Sequence, residues 1–135
     1  MVESTKPVVT ITGITGYVGS QVCLAFLKSG NYTVRGTVRD KSSEKRIAPI
    51  RKAFGEYFDQ LELVEADLLN EDSLIAGIAG STYVVHTASP VKVSGAVKDE
   101  DVLLKPAVNG TLAVMKGCQA AKVKRVVITS STSTI

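Results

Sequence analysis

The chain has 135 residues, 44% of them hydrophobic, with a formal charge of +3 and no run of like charges. That is enough for one domain with a single core. It shows no aromatic-laced basic stripe suited to nucleic acid, no apolar stretch near the length of a membrane span and no signal-peptide pattern, so a cytoplasmic protein bound to neither nucleic acid nor membrane is expected.

The first strand reads at Pro7–Thr12, a short β-branched run. It leads into Thr12-Gly13-Ile14-Thr15-Gly16-Tyr17-Val18-Gly19. Three glycines at this spacing suit a dinucleotide phosphate: Gly13 takes a tight backbone path, Gly16 lets the main chain approach a pyrophosphate, and Gly19 lets the next helix pack close. That helix is predicted over Tyr17–Lys28 from apolar residues at Val18, Val22, Ala25 and Phe26, and Gly30 ends it. Its unpaired N–H groups and positive dipole end would face the phosphates.

A second strand at Tyr32–Val38 runs into Arg39 and Asp40. An acid here suits a ribose 2′-OH, whereas a guanidinium suits a 2′-phosphate. Arg39, with Lys45 and Arg46 following on a helix predicted over Ser43–Phe54, favours NADP; Asp40 keeps the NAD reading open. After a third strand at Leu61–Glu65, Asp67 either accepts a hydrogen bond from an adenine amino group, with Leu68 covering the ring, or forms a turn. Asn70 caps a helix over Glu71–Ala79 that Gly80 closes.

The fourth strand, Thr82–His86, ends on the only histidine, which reads as a buried imidazole satisfied by backbone rather than as a general base. Thr87, Ala88 and Ser89 would form a wall along the cofactor, and Pro90 turns the chain out of the strand. A long helix over Asp101–Ala121 contains Pro106 and Asn109-Gly110, poor interior helix formers that suggest a local distortion or a placed Asn side chain. The fifth strand, Arg125–Thr129, delivers Ser130 and Ser131, whose hydroxyls could hydrogen-bond a substrate carbonyl oxygen as it gains charge. Cys23 and Cys118 lack metal-ligand spacing, so no metal site is expected and both read as small buried apolar side chains.

Alternating strands and helices with right-handed crossovers give an α/β fold, a doubly wound parallel sheet of Rossmann type, incomplete, with strand order 3-2-1-4-5. In such a sheet the ligand lies across the carboxyl ends of the strands. That rule selects the glycine turn, Arg39-Asp40, Asp67-Leu68, Thr87–Pro90 and Thr129-Ser130-Ser131.

These segments, together with Thr37-Val38, Val85-His86 and Lys105–Thr111, resemble the extended short-chain dehydrogenase/reductases. The resemblance is to the branch of dihydroflavonol reductases, cinnamoyl-CoA reductases and yeast-type carbonyl reductases. It implies that Gly13, Thr15, Gly16, Tyr17, Val18 and Gly19 hold the pyrophosphate and nearby ribose, and that Arg39 and Lys45 hold the 2′-phosphate of NADP(H). Asp67 and Leu68 would bound the adenine; Thr87, Ala88 and Ser89 would line the middle of the cofactor, with Thr129 and Ser130 beside it. Ser131 matches the catalytic serine, and Asn109 a family asparagine of structural or relay importance.

The family's Tyr-x-x-x-Lys pair finds no match, since none of Tyr17, Tyr32, Tyr57 and Tyr83 is followed by Lys at the fourth place. Residues 1–135 are therefore expected to be the NAD(P)-binding domain of a longer NADP-dependent reductase acting on a small-molecule aldehyde or ketone, with the substrate domain absent. Two other readings stand beside it: a non-catalytic NADP-binding or sensor module, and an interaction protein that reuses the fold. The β-branched run Val126-Val127-Ile128 is expected to leave an exposed sheet edge open to homo-oligomerisation.

Overall fold

A computed structural model describes residues 6–88 and 101–132, with the backbone alone over 101–104. Five parallel strands, β1 (Val8–Thr12), β2 (Thr33–Val38), β3 (Leu61–Glu65), β4 (Tyr83–His86) and β5 (Arg125–Ile128), form one sheet in the order β3-β2-β1-β4-β5. Helices α1 (Tyr17–Ser29), α2 (Glu44–Phe54), α3 (Glu71–Ile78) and α4 (Asp101–Ala121) make the connections. The expected topology is borne out, and the elements fall within a residue of their predicted ends. A 3-10 helix over Gly55–Gln60, between α2 and β3, was not anticipated.

The pleat divides the core in two. Val9 and Ile11 of β1, Val34 and Val38 of β2 and Val85 of β4 pack with Cys23 and Leu27 of α1 and Ile47, Ile50 and Phe54 of α2. On the opposite face Val84 meets Leu74 and Ile78 of α3 and Ala113, Val114 and Cys118 of α4. Residues buried from both faces explain why the central strands read as nearly continuous apolar runs. Where polar residues enter, they pair: Thr10 and Ser81 share a 2.6 Å hydroxyl contact in the interior. Arg35 of β2 donates to the carbonyls of Gly77 and Ala79 at the end of α3, at 3.0 and 2.7 Å, and meets Glu62 at 3.2 Å.

Local signals place the helix ends. Gly30, at φ +70°, ends α1, and the Asn70 side chain accepts from the Ser73 amide at 3.1 Å to begin α3. The helix α4 runs on through Pro106 and Gly110. Gly110 has a packing reason: a Cβ there would stand 2.6 Å from Leu68 Cδ2.

At the β5 edge α4 covers the side that Val126 faces, while Val127 keeps 52% and Ile128 44% of their surface exposed. An apolar edge of this kind is a template for pairing with another chain. Concentration-dependent light scattering by the 135-residue chain is therefore expected, and Val127→Lys should weaken it at a stability cost within about 0.5 kcal/mol. Identical scattering by the two proteins would separate self-association from this edge.

Candidate functional site

Because all five strands are parallel, every strand-end residue singled out from the sequence and lying within the described segments emerges on one side of the sheet. The glycine turn is the centre of that side. Gly13 has φ +71°, as the tight path requires, and a Cβ on it would come within 2.9 Å of Ala88 Cα. A Cβ on Gly19 would lie 2.2 Å from the Gly13 carbonyl oxygen and 2.7 Å from Thr87 Oγ1, so only glycine lets α1 sit this close to the strand ends. Gly16 is exposed, and the nearest atom to a Cβ there would be the Gly13 oxygen at 3.5 Å. The backbone at Gly16 is thus open to approach.

Ile14 holds the turn from inside. It is fully buried and covers Gly36 of β2, where an added Cβ would meet its Cδ1 at 2.6 Å. Thr37 ties the same turn to β2: its hydroxyl accepts from the Gly13 amide at 3.0 Å and its carbonyl from the Ile14 amide at 3.2 Å. The following helix begins without a side-chain cap at Gly16, and Tyr17 is 88% exposed. The N–H groups of Tyr17, Val18 and Gly19 belong to the first helical turn, which lacks intrahelical acceptors. Thr15 lies exposed beside them.

Arg39 and Lys45 are exposed at the end of β2 and on the first turn of α2, and neither has an ion-pair partner among the described residues. Asp40 is committed locally. Its Oδ1 accepts from the Ser42 hydroxyl at 2.6 Å and the Ser42 amide at 2.9 Å. The hydroxyl first, then the amide and the Arg46 charge, hold this carboxyl below its ordinary range. The NAD reading, which needs that acid for a ribose, loses one carboxylate oxygen to the turn.

Asp67 likewise forms a turn, with Oδ1 accepting from the Leu69 amide at 2.9 Å. Of the two readings left open for it, the turn is real and the second oxygen is what remains for a ligand. Leu68 is half-buried against Gly110. Thr87 and Ala88 close on the glycine turn, whereas Ser89 and Pro90 lie outside the described residues. Thr129 donates its amide to the His86 carbonyl at 3.0 Å, and Thr129, Ser130 and Ser131 are exposed at the end of β5. Asn109 is exposed on α4.

His86 corrects one expectation. It is buried, but its partner is a side chain rather than the backbone: Nδ1 lies 2.7 Å from Thr12 Oγ1. The Thr12 hydroxyl oxygen also accepts from the Thr87 amide at 3.0 Å and the Ala88 amide at 3.1 Å, while the Thr87 hydroxyl donates to the Thr12 carbonyl. Sequence reasoning gave no individual role to Thr12, Ile14, Gly36 or Thr37. Glycine inside a strand, at Gly36, was the available sign of a close approach. Among the described residues no His, Cys, Asp or Glu cluster could hold a metal. Both cysteines are buried, and burial pushes the Cys23 thiol up to about 12. No described helix is long and apolar enough to cross a membrane.

Residues 9–135 match the family described as "NAD dependent epimerase/dehydratase family". The chain is 41% identical over 134 residues to tetraketide alpha-pyrone reductase 1 of Arabidopsis thaliana, covering 98% of this chain and 40% of that protein. It is 37% identical over 134 residues to dihydroflavonol 4-reductase of Hordeum vulgare, covering 98% of this chain and 37% of that one. The chain thus spans less than half the length of these curated relatives. Vestitone reductase from alfalfa superposes with a TM-score of 0.73 at 33% identity, over 95% of this chain and 37% of its own. Yeast methylglyoxal/isovaleraldehyde reductase Gre2, solved with NADPH, does so with a TM-score of 0.73 at 26% identity, over 92% and 37%.

Burial lowers the His86 pKa below its ordinary value near 6.5. The unfolded chain then binds the proton more readily, so the stability conferred by the neutral ring is complete above about pH 6.5 and is lost as pH falls through the folded-state value. Between about pH 7.5 and 5.5 the melting temperature of wild type should fall further than that of His86→Asn. Parallel falls in the two proteins would show that another group carries the acid sensitivity.

Proposed function

Since the chain belongs to the NAD dependent epimerase/dehydratase family, we propose that residues 1–135 are the NADP-binding domain of an oxidoreductase that reduces a small-molecule carbonyl to an alcohol. The observation that carries the reading is the glycine turn: Gly16 and the first turn of α1 open outward, with the exposed cations Arg39 and Lys45 at the adjoining strand end. The names of the relatives, which are reductases, support the reaction class.

The residues present fit a dinucleotide. An uncapped helix start beside an exposed glycine is an anion cradle. There the backbone of Gly13, Thr15, Gly16, Tyr17, Val18 and Gly19 meets the pyrophosphate and ribose. Arg39 and Lys45 hold the 2′-phosphate, the guanidinium as a planar donor and the ammonium as a mobile point charge. Asp67 and Leu68 bound the adenine, while Thr87 and Ala88, with Thr129 and Ser130, line the path toward the nicotinamide; Ser89, which the family resemblance adds to that wall, lies outside the described residues. NADPH, when bound, supplies a hydride. Ser131 donates a hydrogen bond to the carbonyl oxygen as negative charge grows on it.

NADPH should bind more tightly than NADH by about 1.5–3 kcal/mol, roughly ten- to a hundredfold, and Arg39→Ala should remove most of that preference. Titration of both cofactors measures it, and equal wild-type affinities would refute the NADP assignment. Residues 1–135 alone should bind cofactor without sustained turnover. A positioned proton donor is typically worth about 10²–10⁴-fold, and a serine hydroxyl is a poor proton source near neutrality. Ser131-dependent NADPH oxidation by this chain with an aldehyde or ketone would overturn that expectation.

A further inference from the structure

The Thr12 hydroxyl has one proton and two lone pairs. Both lone pairs are taken, by the amides of Thr87 and Ala88 at 3.0 and 3.1 Å. The remaining contact, to His86 Nδ1 at 2.7 Å, must therefore use the hydroxyl proton. Counting bonds in this way assigns the imidazole as the tautomer with its proton on Nε2. An Nδ1–H ring would present Thr12 with a third donor and displace one of the two amides.

Those amides belong to the segment that touches the glycine turn most closely. Ala88 lies against Gly13, where a Cβ would find its Cα at 2.9 Å, and Thr87 Oγ1 lies 2.7 Å from the place of a Gly19 Cβ. The Thr87 hydroxyl donates to the Thr12 carbonyl, immediately before that turn. A shift of residues 87 and 88 is thus felt at both glycines, at Gly13 through the Ala88 backbone and at Gly19 through the Thr87 hydroxyl, which its bond to the Thr12 carbonyl holds in place.

We propose that His86 is a positioning residue: by accepting the Thr12 hydroxyl proton at Nδ1 it leaves that oxygen free to accept two amides, and so sets the Thr87-Ala88 wall in register with the glycine turn. It touches neither cofactor nor substrate in this role, which rests on the reading of the turn as a dinucleotide site and adds a determinant of its geometry.

The test uses the only histidine of the chain, so its ring signals are unambiguous. In the ¹⁵N-labelled chain, long-range ¹H–¹⁵N spectra should show a protonated Nε2 and a bare Nδ1, and hydrogen exchange should show protected Thr87 and Ala88 amides. His86→Leu, which offers no acceptor, should speed exchange at those two amides roughly tenfold, the effect of one buried amide losing its partner. The Val84 amide in the same strand should change little. His86→Asn, whose side-chain oxygen can stand near Nδ1, should restore protection, and NADPH affinity should fall in the Leu variant and recover in the Asn variant. An Nδ1–H ring in the wild type, a reading that needs no variant to fold, overturns the proposal. So does equal exchange in the Leu and Asn variants, or, when wild type binds NADPH, unequal exchange with equal NADPH affinity. If the ring and exchange results are as expected but wild type binds neither NADPH nor NADH, the dinucleotide reading falls and the positioning of the wall stands.

Discussion

The closeness of Gly19 to the Gly13 carbonyl oxygen is the constraint on which the rest of the carboxyl-end architecture depends. A methyl group at Gly19 would stand 2.2 Å from that oxygen, well inside contact distance, and its neighbour in the other direction is the Thr87 hydroxyl. Relief would require α1 to tilt away from the strand ends. Ile14 would then lose its seat over Gly36, and the bonds from Gly13 and Ile14 to Thr37 would stretch with it. Overpacking of this kind costs about 1–3 kcal/mol when the surroundings can yield. Here the nearest obstacle is the Gly13 carbonyl, which is backbone, so little can yield without moving the turn that follows β1.

Much of this could be read before the structure, and the reasons are local. The five strands and four helices announce themselves by β-branched runs and helical periodicity, and Asn70 and Gly30 mark boundaries through cap chemistry that depends on a few neighbouring residues. Gly13 and Gly19 disclosed their tight turn and close packing because only a missing Cβ allows them. What stayed hidden was long-range. Nothing near Thr12 in sequence indicates that its hydroxyl serves His86, Thr87 and Ala88, and His86 was accordingly assigned a backbone partner it does not have. Gly110 looked like a defect of α4 until Leu68 was found lying on it.

The charged residues show a related division. Asp40 and Asp67 are both acids at strand ends, yet each spends one oxygen organising its own loop, Asp40 on Ser42 and Asp67 on Leu69. Short polar side chains compete for nearby amides in this way wherever a strand hands over to a helix. Arg39 and Lys45 have no such internal claim among the described residues. The cations are wholly available to an outside partner, whereas each acid keeps one oxygen for it.

The position of β1 at the middle of the sheet carries a consequence for how the molecule assembles. Its β2 side is completed by the next strand in the chain, whereas its other side waits for β4; Thr12 and His86 bond across 74 residues of sequence. Closing so long a loop must precede the reward of pairing, which places this topology among the slower folders of its size. During synthesis the amino-terminal strand emerges with one edge bare and keeps it so until the whole of α3 has followed. For that interval the cluster around Val9 and Ile11 lacks Val85, and the β1 edge that β4 will occupy has its backbone groups unpaired within the sheet, a template for pairing with another chain.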